Sequence, residues 1–305
     1  MNGGRVVGLG GGHGLAATLR AARRYASEVG AVVTVADDGG SSGRLTRELG
    51  IPPPGDIRNC LVALADETEL SKVYQHRFRG GALTGHTAGN ILIAAMTEIY
   101  GDFAKGVEAA GELLGSRGRV YPATTELVVL NAQVDGRQIT GQAAVAATRR
   151  PIQAVYLEPP DPVAFSGAVN AIMSADQIIL GPGSLFTSLI ATILVPGIRK
   201  ALQDTPARRV FVCNSRMQKG ETEGLDAPAH LGALMAHIGP FSVDAAVVQS
   251  PAIPTDGVEI DRSGLESSGV EIIEADISNA DGSHDPDRMA PILASLSGRR
   301  TAAQS

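Results

Sequence analysis

Two adjacent carboxylates, Asp37 and Asp38, follow a short run of β-branched and small residues at 31–36, and a Gly/Ser segment at 39–43 comes directly after them. We expect the run to be a strand that delivers both carboxylates to one edge of a sheet, where the glycines let a ligand approach the backbone. Two neighbouring carboxylates repel each other, and burying both without a partner is costly. The pair therefore predicts a site that binds ligand hydroxyls or a cation. Asp37 and Asp38 are the candidate catalytic residues. The alternative is that both carboxylates are solvated and cap the helix that follows. This alternative accounts for a single Asp at this position more easily than for two.

A glycine-rich turn at 8–14 joins the first predicted strand to a helix. Its backbone N–H groups face a helix N-terminus, which favours an anionic group. The candidate ligand-binding residues in this turn are Gly10, Gly11, Gly12 and His13. The spacing is not the dinucleotide fingerprint G-x-G-x-x-G, because His13 or Leu15 stands where the third glycine belongs. A tight turn without a ligand is an equally good interpretation of this segment taken alone.

Two further loops follow predicted strands at 177–180 and 209–213. In the first of these loops Ser184 is an expected N-cap, and it offers amides and hydroxyls to a phosphate together with its neighbours. The candidate residues of this loop are Gly181, Gly183, Ser184, Thr187 and Ser188. The second loop, 214–222, is polar and carries Arg216 and Lys219, and alone it is best interpreted as a solvated surface loop.

The order of the predicted elements is typical of an α/β protein. Short β-branched runs alternate with helical patterns, which predicts a mostly parallel sheet. In open α/β sheets, ligands bind at the carboxyl ends of the strands, so the four loops are expected to converge on one crevice. The small-residue segment 84–90 is a fifth candidate for close ligand approach and ends at Asn90, whereas His86 within it is expected to be a hydrogen-bonded structural histidine.

We expect a single domain over 1–298 with a β-rich excursion at about 120–157 and a flexible tail at 299–305. Within the excursion, Asp135-Gly136 predicts a hairpin with a primed turn. Asp56 is expected to cap a helix that follows it. Other predicted helices span 15–25, 162–174 and 184–194.

Composition limits the classes of function. The 305 residues carry a net charge of −6, contain no Trp and are 4% aromatic, which argues against nucleic-acid binding and against binding to anionic membranes. No apolar run is long enough for a membrane span, and the two cysteines are expected to be reduced and buried. These features predict a cytoplasmic protein. A local excess of basic residues between 44 and 86 is expected to balance phosphates or the two aspartates.

Six strings carry a resemblance to a known family. They are VTVADDGGSSGR at 33–44, PPGDIRNCL at 53–61, GHT at 85–87, PATTE at 122–126, LGPGSL at 180–185 and GET at 220–222. Together they resemble the YvcK-like family of gluconeogenesis factors, which includes the CuvA-like proteins of mycobacteria and lies in the CofD-like superfamily. The resemblance implies a Rossmann-like, CofD-like three-layer α/β fold. It also implies a cytoplasmic regulator that binds UDP-sugars, notably UDP-N-acetylglucosamine, and that links carbon metabolism to cell shape and envelope synthesis.

The resemblance also implies roles for individual residues. Asp37 and Asp38 would line an acceptor-like pocket, whereas Asn214 and Lys219 would lie near the nucleoside. A diphosphate would be held by Gly183, Ser184, Thr187 and Ser188. No cofactor is required and no metal site is assigned, although a divalent cation that accompanies the nucleotide stays open. The expected partners are a UDP-sugar, a second copy of the chain and unidentified proteins.

Two other activities are weighed against this one. The first is a CofD-like 2-phospho-L-lactate transferase that uses a nucleotide-activated donor. Its acidic loop lacks the Gly/Ser run at 39–42, and its phosphate loop reads Gly-Pro-Ser-Asn-Pro where this chain has Gly-Pro-Gly-Ser-Leu at 181–185. The family also commonly has Thr at the position of His13. The second activity, a nicotinamide oxidoreductase, is disfavoured by the imperfect glycine fingerprint.

Overall fold

The structure is a computed structural model that describes residues 3–239 and 243–299. Of the predicted tail at 299–305, Arg299 is described and the remainder lies outside the described residues. The strands are β1 (Arg5–Gly10), β2 (Glu28–Val33), β3 (Arg119–Pro122), β4 (Val129–Val134), β5 (Arg137–Thr140), β6 (Ala154–Glu158), β7 (Gln177–Leu180), β8 (Arg208–Val212), β9 (Ala245–Gln249) and β10 (Glu271–Ala275). The first helices are α1 (Gly12–Ala22), α2 (Gly40–Leu49), α3 (Gly55–Leu64), α4 (Glu69–Gln75), α5 (Ala88–Tyr100), α6 (Phe103–Leu114), α7 (Gln142–Ala146) and α8 (Ser166–Ser174). The later helices are α9 (Leu185–Ile193), α10 (Pro196–Asp204), α11 (Ala227–Ile238), α12 (Arg262–Glu266) and α13 (Pro286–Ser295).

The main sheet has seven strands in the order β10-β9-β8-β7-β1-β2-β3, and every described pairing in it is parallel. The register aligns the carboxyl ends of the four central strands. Gly10 of β1 pairs with Val33 of β2, and Leu180 of β7 pairs with both Leu9 and Phe211. The four loops of interest therefore leave the sheet side by side from one edge, which confirms the predicted convergence.

Alternation along the central strands gives the sheet two buried faces. In β1, Val6 belongs to one core cluster, whereas Val7 and Leu9 belong to the other. Helices cover both clusters, with α1, α3, α5, α6 and α13 contributing to the cluster of Val6 and α8 to α11 contributing to that of Leu9. The molecule is thus a three-layer α/β protein, as the sequence predicted.

A small antiparallel sheet, in the order β5-β4-β6, forms the β-rich excursion. Its hairpin turns at Asp135 and Gly136, whose φ values of 47° and 72° are both positive, and this confirms the predicted primed turn. The buried side chains of this sheet, such as Leu130 and Leu157, join the same core cluster as Leu9. The excursion is therefore packed against the main layer rather than standing apart from it.

Several predicted boundaries were wrong. β2 ends at Val33, three residues before the predicted end, because pairing with β1 and β3 stops there. Helix α1 begins at Gly12, within the glycine turn, and the predicted helix at 162–174 begins only at Ser166. Asp56 does not cap α3, since the N-cap is Pro54 and Asp56 lies in the first turn.

Helix α9 corresponds to the helix predicted at 184–194, but its first part, Leu185–Ile190, is π-helical. Ser184 occupies the N-cap position without donating or accepting a capping hydrogen bond through its side chain. Among the described residues, no single helix has both the length and the apolar character of a membrane span. Helices α9 and α10 reach that length only when taken together, and they are bent by 77° relative to each other.

Candidate functional site

The glycine turn after β1 lies directly against the turn after β7. A Cβ atom on Gly14 would lie 2.4 Å from the carbonyl oxygen of Pro182, and a Cβ on Gly11 would lie 3.2 Å from the hydroxyl of Ser188. Gly12 has a φ of +66°, which a glycine adopts without strain. The close approach of the two turns therefore requires small residues, and it places Gly10 to His13 beside the predicted phosphate loop.

Asp37 and Asp38 point to different partners. Asp37 is half-buried and accepts a hydrogen bond from the N–H of Gly39 at 2.9 Å. Asp38 is exposed and accepts one from the N–H of Ala143 at 2.8 Å, in the first turn of α7. Because Gly141 is the N-cap residue of α7 and has no side chain, Asp38 supplies that cap from a distant loop. The structure thus gives Asp38 a structural partner, while its predicted role in ligand binding stays a prediction.

The carboxyl group that accompanies Asp37 is Asp56, which sequence reasoning treated only as a helix cap. A Cβ on Gly11 would lie 2.2 Å from Oδ2 of Asp56, and the N–H of Gly12 donates a hydrogen bond to this carboxyl. Burial raises the pKa of Asp56 to about 6, the negative charge of Asp37 adds to the rise, and Arg58 opposes it. Burial also raises the pKa of Asp37. Two carboxyl groups with raised pKa values at a glycine turn are typical of proton-transfer or cation-binding sites.

Ser41, His86 and Asn90 form a buried chain of hydrogen bonds at the starts of α2 and α5. The amide nitrogen of Asn90 donates to Ser41 Oγ at 3.1 Å, and Ser41 Oγ lies 3.1 Å from His86 Nδ1. Burial lowers the pKa of His86, and the positive charge of Arg44 adds to the decrease. His86 is therefore a neutral, hydrogen-bonded histidine, as expected. The Oδ1 atom of Asn90 is buried without a partner among the described residues, so it is available to a ligand.

The donors at the start of α9 are already occupied by a carboxylate of the chain itself. Glu221 accepts hydrogen bonds from the N–H groups of Phe186 and Thr187 at 2.7 and 2.9 Å, and from the Thr187 hydroxyl at 3.1 Å. Burial raises the pKa of Glu221, and these donors lower it in part. The predicted contact between Thr187 and a phosphate stays a prediction, and it now requires that Glu221 move or share these donors. Glu221 was missed because it lies 34 residues from Thr187, although the GET string contains it.

The side chain of Asn214 holds the predicted phosphate loop, residues 181–188, at Gly183. Its Oδ1 atom accepts from the N–H of Gly183 at 2.9 Å, and its Nδ2 atom donates to the carbonyl of Gly183 at 2.8 Å. Gln218 from the same loop donates to Ser184 Oγ at 3.2 Å. The polar loop after β8 is thus part of the site, whereas Lys219 lies at its exposed outer side.

Helix α7 connects the two walls of the crevice. Its first turn is capped by Asp38, and the side chain of Gln142 donates to the carbonyl of Thr187 at 3.2 Å. The β-rich excursion therefore joins the loop of Asp37 and Asp38 to the start of α9. The sequence did not predict this role. Among the described residues, no group of three or more His, Cys, Asp or Glu side chains is arranged to hold a metal ion.

The fold and the site define an α/β protein in which glycine turns, two carboxyl groups and a polar loop lie side by side at the carboxyl ends of a parallel sheet. The chain belongs to the CofD family, described as 2-phospho-L-lactate transferase CofD, which matches residues 6–278. This membership confirms the resemblance seen in the sequence.

Relatives with assigned names are similar over most of the chain. The gluconeogenesis factor of Halalkalibacterium halodurans is 45% identical over 251 residues, which cover 81% of this chain and 78% of that protein. The gluconeogenesis factor of Bacillus subtilis is 40% identical over 309 residues, which cover 96% of this chain and 98% of that protein. A crystal structure of a UPF0052 family protein from Bacillus halodurans is 38% identical and superposes with a TM-score of 0.92, covering 96% of this chain and 99% of the other.

Proposed function

We propose that this chain is a cytoplasmic UDP-sugar-binding regulator that links carbon metabolism to cell shape and envelope synthesis, and that UDP-N-acetylglucosamine is its ligand. The observation that carries the proposal is the convergence of four loops on the carboxyl ends of β8, β7, β1 and β2. The names of the relatives support a role in gluconeogenic metabolism. The resemblance to the YvcK-like family supports the choice of ligand.

The contacts of the described residues support one orientation for such a ligand. The N-terminus of α1, with His13, lies against the turn of Gly183 and Ser184, so a diphosphate placed over the outer side of these two contacting turns would lie at a helix N-terminus and within reach of the Ser184 hydroxyl. The nucleoside then lies toward Asn214 and Lys219. The sugar lies toward Asp37 and the free oxygen of Asn90, since carboxylates and amide oxygens accept hydrogen bonds from sugar hydroxyls.

The test is isothermal titration calorimetry with UDP-N-acetylglucosamine, using UDP and N-acetylglucosamine alone as comparisons. We expect binding of the nucleotide sugar, weaker binding of UDP and none of the free sugar. The absence of any heat with the nucleotide sugar up to millimolar concentration, in a sample that is folded by circular dichroism, overturns the proposal.

A charge variant tests the placement of the diphosphate. Ser184→Asp puts a negative charge at the proposed phosphate position, and we expect the affinity for the nucleotide sugar to fall by about tenfold or more. Ser184→Ala removes only the hydroxyl and is expected to have a smaller effect. Ser166→Asp is the matched control, because Ser166 is exposed at the start of α8 and lies outside the crevice. Equal losses in Ser184→Asp and Ser166→Asp contradict the placement.

A second candidate function is the transferase activity that the description of the family names. The observation that favours it is the pairing of Asp37 with Asp56, because two adjacent carboxyl groups can orient an acceptor hydroxyl or share a divalent cation with a nucleotide ligand. The acceptor oxygen would form a bond to the phosphorus of a nucleotide-activated phospholactate, and the nucleoside monophosphate would leave. Incubation of the protein with this donor, the deazaflavin precursor of coenzyme F420 and Mg²⁺ distinguishes the two functions. Product formation that is lost in Asp56→Asn supports the transferase, and binding without turnover supports the regulator.

A further inference from the structure

Arg58 belongs to α3, and its side chain is buried against the start of α5. The proposed nucleotide site does not use it. The Arg58 side chain is 8% exposed, and it projects from α3 onto the first turn of α5. A Cβ on Gly89 would lie 2.8 Å from both Cγ and Cδ of Arg58, so the glycine makes room for the stem of the arginine. The guanidinium group is thereby held beside the N-terminal end of a helix of 13 residues.

The guanidinium of Arg58 lacks an acidic partner. Nη2 donates to Asn59 Oδ1 at 2.5 Å, and Nε is buried with no hydrogen-bond partner in the described chain. Among the described residues, no carboxylate oxygen lies within 4.0 Å of a guanidinium nitrogen of Arg58. Burying a charged donor without an acceptor is costly, so such a donor indicates a missing acceptor.

The charges that act on Arg58 are mixed, since Arg77 is cationic and Asp56 and Asp37 are carboxyl groups. After burial, the largest influence that lowers the pKa of Arg58 is the charge of Arg77, and the opposing influences of Asp56 and Asp37 are smaller. Neither carboxyl group forms an ion pair with Arg58 among the described residues, so the guanidinium keeps capacity for another acceptor. The positive end of the α5 dipole adds a positive contribution to these charges.

The N-cap residue of α5 provides a second, independent sign of a missing partner. Thr87 is 2% exposed, its hydroxyl makes no capping hydrogen bond, and its Oγ1 atom is buried without a partner in the described part of the chain. The N–H of Ala88 donates to the carbonyl of His76, whereas the next N–H groups of the first turn point along the helix axis toward the same region. Thr87 is the N-cap residue of α5 and the stem of Arg58 packs at Gly89 in its first turn, so both unpartnered groups belong to residues at the start of this helix.

We propose that Arg58, Thr87 and the first turn of α5 form a second anion site, separate from the loop of Gly183 and Ser184, which takes the carboxylate or phosphate group of a small acid. The site does not rest on the proposed nucleotide function, because the two anion positions lie on different loops. It gives the protein a means to bind an acidic metabolite beside the acidic wall of the crevice. It also explains why a region rich in arginine follows Asp37 in an otherwise acidic chain.

The first test observes Arg58 directly in the intact protein. Nuclear magnetic resonance of isotope-labelled arginine side chains follows each Nε–H group during titration with inorganic phosphate and, separately, with acetate. We expect the Nε–H signal of Arg58, assigned with Arg58→Gln, to shift and saturate with at least one of the two anions. Arg209 is an internal control, because its Nε already donates to Asp244 at 3.0 Å. No saturable shift of Arg58 up to about 10 mM of either anion, or an equal shift of Arg209, overturns the proposal.

The second test uses variants. We expect phosphate or acetate to raise the melting temperature of the wild-type protein and of Arg79→Gln, a control at an exposed arginine, by more than that of Arg58→Gln, which keeps only the loop of Gly183 and Ser184 as an anion site. The response to each anion shows whether the site prefers a phosphate or a carboxylate. UDP binding is expected to be unchanged in Arg58→Gln, so a failure of nucleotide binding and a failure of this site are separate results. If Arg58→Gln does not fold, Arg58→Lys assigns the Arg58 signal and the titration of the wild-type protein decides the question.

Discussion

Glu221 and Thr187 are joined by two hydrogen bonds, one from the backbone N–H of Thr187 to Oε1 at 2.9 Å and one from its hydroxyl to Oε2 at 3.1 Å. The carboxylate is 6% exposed, and the groups that solvate it are neutral donors at the start of α9. A carboxyl group of the chain itself therefore occupies the N–H groups at this helix N-terminus. The π-helical first segment of α9 is the element that this carboxylate organises.

Replacing Glu221 by Ala should destabilise the protein. The change leaves the N–H groups of Phe186 and Thr187 without their acceptor, so we expect the free energy of unfolding to fall by about 1–3 kcal/mol. Urea denaturation measures the change. Glu223→Ala is the matched control, since Glu223 is exposed in the same loop, and it should change stability little. A Glu221→Ala variant as stable as the control contradicts the assigned role.

The raised pKa of Asp56 predicts a specific dependence of stability on pH. Its folded pKa of about 6 lies above the unfolded value of about 3.9, so the folded state holds the proton more tightly. Protonation of Asp56 therefore stabilises the folded state by on the order of 2–3 kcal/mol. This stabilisation is fully present below about pH 4 and is lost as the pH rises through about 6. Asp56→Asn should therefore be more stable than the wild type at pH 7 to 8 and nearly equal to it near pH 4, as measured by urea denaturation across this range.

Asp66 should show the opposite dependence of stability on pH from that of Asp56. Asp66 lies on the surface beside Arg23 and Arg117, and these arginines lower its pKa. Its contribution is present at neutral pH and decreases as the pH falls below the unfolded pKa of about 3.9 and through the lower folded pKa, so Asp66→Asn should lower stability at neutral pH and progressively less in strong acid. Two Asp→Asn variants with the same pH dependence would show that Asp56 is not held in its protonated form by burial.

Asp38 is expected to act through α7. Removing its carboxylate in Asp38→Ala leaves the N–H of Ala143 without an acceptor, and we expect a loss of about 1 kcal/mol in stability together with faster hydrogen exchange at that amide. Asp38→Asn retains an acceptor and should restore most of the protection. Unchanged exchange at Ala143 in Asp38→Ala would show that the cap does not hold α7.

The parts of the fold that local sequence determines were predicted well. The turn at Asp135-Gly136 depends on positive φ values that these residue types favour, and it is present. The alternation of strands and helices sufficed to predict a parallel sheet with both faces covered, since crossover connections require it.

The parts that depend on contacts distant in sequence could not be predicted. Residues 34–36 are as buried as those of β2, so nothing local shows that pairing ends at Val33. Adjacency in sequence suggested Asp38 as the companion of Asp37, and the charge of Asp38 does raise the pKa of Asp37, but the docking of α3 against the glycine turn adds Asp56, whose pKa the charge of Asp37 raises. The Glu221 carboxylate likewise reaches α9 only because the loop after β8 folds back over the edge of the sheet.

The contact between Asn214 and Gly183 predicts how the loop after β8 controls the phosphate loop. Gly183 has a φ of +136°, and both of its backbone polar groups are bonded to the Asn214 side chain. Asn214→Ala removes both hydrogen bonds, so we expect stability to fall by about 1–3 kcal/mol and the affinity for the nucleotide sugar to fall by about tenfold, because the loop must then be ordered by the ligand. Asn170→Ala on the exposed side of α8 is the control for a general effect of the substitution. Calorimetry and urea denaturation on the same samples separate the two effects, and a variant that loses stability but binds with unchanged affinity would show that Asn214 supports the fold without positioning the site.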